Sequence, residues 1–316
     1  GLITAISLSK LNCDIDLIAG NINRNIKSNR TIAISQNNFD FIKKLNISKS
    51  IEKESWACSK MKLYAETKNK KFSEIFELNN DNKSKKILYM LENSNMMKHM
   101  INKIKHTKSI SIKTGETASE ITTSGLLQSV KYKNNNNNYN LIIICTGNNS
   151  DLVKNLFSEK FIKNSYGETS ITAILNHASL NNNTVRQIFL DDEILALLPI
   201  SNTKTSIVWS VKKDIYKKND LLAKKKIKFY TKKYLKKTKF LNKIEYKDLN
   251  FLIRNKYYQN RTLLFGDVIH LVHPLVGQGF NMTLRDLSSL QRMLSDKMNL
   301  GLDIGCSNIL SEFSDK

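Results

Sequence analysis

The spacing of apolar positions changes several times along the chain, and each change marks an element. Residues 2–11 (LITAISLSKL) carry apolar side chains at helical spacing, and DIDLIAG after Asn12 and Cys13 is a short apolar run ending at Gly20. This predicts a helix followed by a buried strand, the back half of a β-α-β unit whose first strand would precede Gly1. Within 30–46 the pattern predicts a short strand (TIAIS) and a helix (FDFIKKL). After Trp56 it turns to alternation, and MKLYAE and KFSEIFEL predict an antiparallel pair joined by the polar turn KNKK. LENSNMMKHMINKIKH returns to helical spacing, with Met96, Met97, Met100, Ile101 and Ile104 on one broad face that fills core. Short strands are predicted at 109–113, 119–123 and 127–132, then an Asn-rich turn from Asn134 to Asn138 and a buried strand at 141–145.

Beyond 150 the alternating runs ETSITAILNH, TVRQIFL, ILALLPI and TSIVWSV predict a second sheet. The Lys-rich stretch from about 212 to 247 is predicted helical, with Leu221, Leu222, Ile227, Tyr230 and Tyr234 on its buried side and the lysines largely on its wet side. TLLFGD at 262–267 is a strand running into a loop, and a helix begins near Asn281. The chain shows no internal repeat.

Composition narrows the function classes. With 316 residues and 41% apolar side chains, the chain is long and apolar enough for one large domain or two ordinary ones, which excludes a disordered polymer. Its 50 Lys+Arg against 28 Asp+Glu give a net charge of +22, which invites a nucleic-acid or anionic-membrane reading. The excess is mostly Lys and travels with heavy use of Asn and Ile, so it reads first as compositional background and solvated surface, with no nucleic-acid partner. Cys13, Cys58, Cys145 and Cys306 lie far apart, with no C-x-x-C pair, which argues against a disulfide framework or zinc site. The longest apolar runs are strand-length, too short to cross a bilayer as helices.

The segment LLFGDVIHLVHPLVGQGFNMTLRD, residues 263–286, carries the chemistry. A buried strand delivers Gly266-Asp267 to its carboxyl edge, where open α/β sheets bind ligands. A carboxylate at such a place needs donors such as sugar hydroxyls. Gly277-Gln278-Gly279 lets the backbone approach a flat or anionic ligand, and the helix after it points N–H groups and a positive dipole end at the same place. His270 and His273 have no third ligand at metal spacing, so no metal site is expected and packing beside a cofactor is the default.

Gly266-Asp267-x-x-His270-x-x-His273-Pro274-x-x-Gly277-Gln278-Gly279-x-Asn281, followed by Leu284-Arg285-Asp286, resembles the second flavin-binding motif of the class A FAD-dependent aromatic hydroxylases. It is most similar to the ubiquinone-biosynthesis hydroxylases of the 2-octaprenyl-6-methoxyphenol hydroxylase type. Gly1-Leu2 resembles the end of that family's G-x-G-x-x-G unit, Arg30 to Ser35 its Arg-initiated segment near the flavin, and Leu197-Leu198-Pro199 and Val208-Trp209 its substrate-domain strands.

The resemblance implies an α/β fold: a Rossmann-like FAD/NAD(P)-binding domain with a smaller α+β substrate domain, as in p-hydroxybenzoate hydroxylase. The expected FAD domain is discontinuous (1–54, 87–150 and 255–300), its first strand missing. Residues 55–86 and 151–254 form the expected substrate domain, and 301–316 begin a truncated C-terminal region, so the chain reads as a fragment.

The implied cofactor is FAD, with NAD(P)H or another electron donor as reductant and O2 as co-substrate. The implied reaction is hydroxylation of a polyprenylated phenol in ubiquinone biosynthesis through a flavin C4a-hydroperoxide. The implied cofactor-binding residues are Gly1, Arg30, Gly266, Asp267, Pro274, Gly277, Gln278, Gly279 and Asn281. No acid, base or nucleophile is assigned. The implied location is cytoplasmic, with peripheral contact at the inner membrane face and membership of a biosynthetic complex.

Two positions depart from the family pattern. Ala19-Gly20 stands where an acidic residue usually holds the adenosine ribose, and Thr146-Gly147 replaces an Asp-Gly pair, with Ser150 retained. Two alternatives stay open: a flavoprotein of the same fold that oxidises or reduces another substrate, and, marked by the altered Ala19 and Thr146 positions, a non-catalytic scaffold of a membrane-associated biosynthetic complex that has lost FAD.

Overall fold

The computed structural model describes all residues except 23–27, 68–71, 81–85, 116, 148–149, 158–160, 214, 217–218 and 316. The opening run folds as the helix Leu2–Leu8, extended by one tighter turn, and the strand Ile15–Ala19 follows. That strand lies parallel to Ile110–Thr114, and Ile142–Ile144 lies parallel to Thr262–Leu264. Parallel neighbours need long connections, and the helices Gln36–Lys44 and Asn93–Lys105 lie within the one that joins the first pair, while the long helix Gln278–Asn299 follows the last strand. Apolar side chains from these helices and strands form one large core, which includes Ile6, Phe39, Met96, Leu264 and Leu287. It reaches Val153 and Phe157, past the boundary expected at 150.

The second layer is a nine-stranded mixed sheet. Its centre is the strand Phe161–Asn176, paired antiparallel with Lys204–Lys212 on one side and Glu245–Arg254 on the other. Lys60–Glu66 and Phe72–Asn79 pair antiparallel and join the same sheet through Thr184–Phe189. The expected turn KNKK between them lies outside the described residues. A second core lies against this sheet, with Trp209 and Ile171 fully buried and Ile227 and Tyr230 packed on it. A small third cluster of Ala33, Cys58, Leu88, Met90, Val185 and Leu198 sits between the two.

Two expectations fail. The Asn run is not a turn: Asn135–Tyr139 is a strand of a hairpin, paired with Leu127–Tyr132. The turn is only Lys133-Asn134, with Lys133 left-handed at φ 51°, the geometry a two-residue hairpin loop demands. The sheet then supplies side-chain partners, since Ser129 Oγ donates to Asn136 Oδ1 at 2.8 Å and Asn137 Nδ2 donates to the Tyr132 hydroxyl at 2.7 Å.

The stretch 212–247 is not one helix. Helix covers only Asp220–Thr231, and Glu245–Arg254 is already strand. A longer helix would stack Lys228, Lys232 and Lys236 at i, i+4 spacing with no intervening carboxylate, which is unfavourable. The helix buries Ala223, Ile227 and Tyr230, but Leu221 and Leu222, expected on the buried side, are 81% and 42% exposed.

Candidate functional site

The strand Thr262–Leu264 is wholly buried and parallel to Ile142–Ile144, so it delivers its carboxyl end to the edge where Gly266 begins a tight turn. Gly266 adopts φ 78°, a conformation that favours glycine. The turn exposes Asp267, whose carboxylate has no hydrogen bond or ion pair with any described residue. A free carboxylate at a sheet edge suits a ligand that brings hydroxyl donors.

Pro274 starts the short turn Leu275–Gly277, and the 22-residue helix Gln278–Asn299 follows with no side-chain cap. Its first N–H groups are therefore not claimed by a capping side chain. Gly277 has two reasons to be glycine. Its φ is 69°, and a Cβ there would come within 3.1 Å of the Ala33 Cβ. Gly279 has neither reason, because nothing lies within 4 Å of where its Cβ would be. The space is open beside Gly279, with Gln278 exposed next to it.

Asn281 is a clip. Its Nδ2 donates to the carbonyls of Ala33 (2.7 Å) and Gly277 (3.0 Å), while its Oδ1 accepts from Ser35 N (3.0 Å) and Asn38 Nδ2 (2.8 Å). With both N–H bonds and both lone pairs used, its side-chain amide fixes the glycine turn against the strand Thr31–Ser35 and has no capacity left for a ligand, and its backbone carbonyl accepts from Asn38 Nδ2 at 3.0 Å.

Gly1 caps the first helix beside Cys145, whose Cβ would lie 3.5 Å from a Cβ at Gly1. This sets the helix start at the carboxyl end of Ile142–Ile144. Arg30 is exposed just before the strand Thr31–Ser35. The preceding residue ties it to the large sheet: Asn29 N donates to Glu245 Oε1 at 2.8 Å, and Asn242 Nδ2 donates to Asn29 Oδ1 at 2.8 Å.

The same strand brings Lys247 into the electrostatic reach of Arg30 and Asp267. The Lys247 side chain is exposed as a whole, yet partial desolvation of its ammonium and then the Arg30 cation hold its pKa below the usual lysine value, while Asp267 pulls it up. Sequence reasoning missed Lys247. It stood at the end of the Lys-rich stretch from about 212 to 247, and no pattern separated it from the other lysines there.

Two histidine–carboxylate pairs hold this loop. His270 Nε2 lies 2.8 Å from Asp286 Oδ2, and His273 Nε2 lies 2.9 Å from Glu168 Oε2. The first tethers the loop to the long helix and the second to the central strand of the sheet. The hydrogen bond with Asp286 raises the pKa of His270 despite its burial. Both Nδ1 atoms are buried without a partner among the described residues. Those residues contain no His/Cys/Asp/Glu cluster suited to a metal ion. Of the expected positions, Gly266, Asp267, Pro274, Gly277, Gln278, Gly279 and Asn281 lie on one continuous loop and helix start, with Arg30 across the sheet edge from it. At the departures, Ala19 ends its strand paired with Thr114, and Thr146 is exposed beside Gly147 at φ 76°.

A family model described as squalene epoxidase matches residues 138–316, which include this whole loop. The chain belongs to the squalene epoxidase family. Among curated relatives, ubiquinone hydroxylase UbiL of Rhodospirillum rubrum is 30% identical over 154 residues, covering 47% of this chain and 35% of that protein. Ubiquinone hydroxylase UbiM of Neisseria meningitidis is 22% identical over 72% of this chain and 50% of its own length. The chain thus spans half or less of these two relatives. Ubiquinone biosynthesis monooxygenase COQ6 of Caenorhabditis elegans is 22% identical, over 90% of this chain and 72% of its own.

Among solved structures, Pseudomonas aeruginosa PqsL, described as a probable FAD-dependent monooxygenase, superposes with a TM-score of 0.77 at 13% identity, over 99% of this chain and 87% of its own. The tetrameric form of 2-methyl-3-hydroxypyridine-5-carboxylic acid oxygenase gives 0.78 at 12% identity, over 100% of this chain and 83% of its own. At such identities the likeness establishes the fold, the α/β arrangement these monooxygenases share.

Proposed function

We propose that this member of the family binds FAD and is a monooxygenase acting on the aromatic ring of a polyprenylated phenol in ubiquinone biosynthesis. NAD(P)H or another donor would be the reductant and O2 the co-substrate. The observation that carries the reading is the partner-free Asp267 carboxylate, held on the same loop as a glycine turn with open space at Gly279 and an uncapped helix start. Those features fit a long ligand with hydroxyl donors on one part and a flat, electron-accepting part on another. The names of UbiL, UbiM and COQ6 support the pathway.

Bound FAD supplies the redox chemistry by which one atom of O2 reaches an electron-rich ring while the other leaves as water. This chain's residues bind and orient. Asp267 accepts hydrogen bonds from ribityl hydroxyls. The N–H groups opening Gln278–Asn299 favour negative charge on the ligand part nearest them. Gly277, fixed by Asn281, keeps the backbone flat against Ala33, and Gly279 leaves room for a planar group. Lys247, within electrostatic reach of both Arg30 and Asp267 but bonded to neither, adds a cation at this edge suited to anionic parts of the cofactor or to charge developing near it. No described residue is assigned as acid, base or nucleophile.

The test is turnover of the full-length protein with NAD(P)H, isotopically labelled O2 and a polyprenyl phenol. The reading predicts one labelled oxygen in the product. Flavin-bound protein that consumes NAD(P)H with no oxygen transfer to any phenol offered would overturn it in favour of a same-fold oxidase or reductase. The missing carboxylate at Ala19 favours a second reading, a scaffold without flavin, and purification of colourless protein would support that one.

A further inference from the structure

The helix Asp220–Thr231 lies against the second core and offers its other side to solvent. Tyr246 reaches it, donating from its hydroxyl to Asp220 Oδ1 at 3.0 Å, whereas Glu245, the neighbouring residue on the strand, bonds to Asn29 beside Arg30. Adjacent strand residues point to opposite faces, so the helix and the Arg30 segment lie on opposite sides of the sheet.

Leu221, Lys225, Lys228 and Lys232 recur at i, i+4, i+7 and i+11, and Phe229 falls beside them, so these five share one helical stripe. All are exposed, with Leu221 at 81% and Phe229 at 71%. The lysines of this region divide sharply. Lys224, Lys226 and Lys233 lie over the rings of Phe240, Tyr230 and Tyr234. Lys225, Lys228 and Lys232 make no ion pair, hydrogen bond or ring contact with any described residue. The one carboxylate of the helix, Asp220, is taken by Tyr246.

A stripe of free ammonium groups interleaved with outward leucine and phenylalanine is complementary to a surface that is anionic outside and apolar beneath. A polyanion such as nucleic acid would meet the lysines and leave Leu221 and Phe229 unburied. A bilayer takes both, the apolar tips entering the head-group boundary while the lysine stems reach up to the phosphates.

We propose that this stripe is a membrane-docking surface for an anionic lipid bilayer, with Leu221 and Phe229 inserting and Lys225, Lys228 and Lys232 contacting lipid phosphates. No helix among the described residues is long and apolar enough to cross a membrane, so the contact is peripheral at this surface. It does not depend on bound flavin.

The experiment is co-sedimentation of the full-length protein with vesicles of phosphatidylcholine alone or mixed with phosphatidylglycerol, at low and high salt. Binding is expected only to the mixed vesicles and is expected to fall at high salt. The triple variant Lys225→Gln, Lys228→Gln, Lys232→Gln should lower the partition coefficient about a hundredfold, because each lysine near an anionic surface contributes a factor of about five. The double variant Leu221→Ser, Phe229→Ser keeps every charge and should also lose binding. All five side chains are exposed, so folding is spared, and flavin content read on the same samples tells failure of docking from failure of the cofactor reading. No binding to the mixed vesicles, equal binding to neutral ones, or binding unchanged in the double variant would overturn the proposal.

Discussion

At the scale of single residues, the glycine turn separates what the fold needs from what a ligand needs. Gly277 combines φ 69° with a Cβ position 3.1 Å from Ala33, so Gly277→Ala should destabilise the protein by at least about 2 kcal/mol in denaturant unfolding. Gly279 lies in the helix with open space before it, so Gly279→Ala should leave stability unchanged or raise it by roughly 0.5–1 kcal/mol while lowering flavin retention. Equal stability effects at the two positions would contradict this division. The glycines and Asp267 were legible in the sequence because their chemistry is local: a turn that needs left-handed backbone and a carboxylate at a strand end. The role of Asn281 was not, since three of its partners, Ala33, Ser35 and Asn38, lie more than 240 positions away. Nor was Lys247, whose distinction is its place beside Arg30 and Asp267 after folding.

At the scale of elements, most helices and strands followed the apolar period, because each buries one face. The failures came where composition masked the period. The Asn run forms a strand because a neighbouring strand offers hydrogen bonds, and the Lys run breaks because its like charges have no carboxylates between them. The loop from Gly266 to Gly277 illustrates coupling between elements that no local pattern shows, with His270 bound to the long helix and His273 to the central strand. The Asp286 hydrogen bond raises the folded-state pKa of His270 above its unfolded value. The pair therefore contributes stability fully below about pH 6.5 and loses it as pH rises through the raised folded value. Unfolding free energies of the parent protein and Asp286→Asn, measured against pH, should differ most on the acid side and converge as pH rises above about 6.5. A constant difference across the range would show that the pair does not titrate as described.

At the scale of the whole molecule, two cores meet at the small cluster around Cys58. Burial pushes the Cys58 thiol up to about 12, with Arg186 opposing the shift, and the side chain is fully buried. Native protein should therefore label with a thiol reagent at exposed Cys306 and resist it at Cys58, and peptide mapping before and after denaturant should show Cys58 reacting only once the seam opens. Rapid labelling of Cys58 in native protein would mean that the two cores part readily. The net charge of +22, open to a nucleic-acid or an anionic-membrane reading, is spread over the whole chain, with some lysines lying over rings, some paired with carboxylates, and the stripe along Asp220–Thr231 combining free lysines with outward apolar side chains. The family and the strand-end loop were legible because one ordered motif concentrates them. The visible absorption spectrum of purified full-length protein, set against Asp267→Ala, tests the central claim most directly: the parent should carry flavin and the variant should have lost it with its fold intact, whereas a colourless parent or an equally flavin-loaded variant would contradict the account.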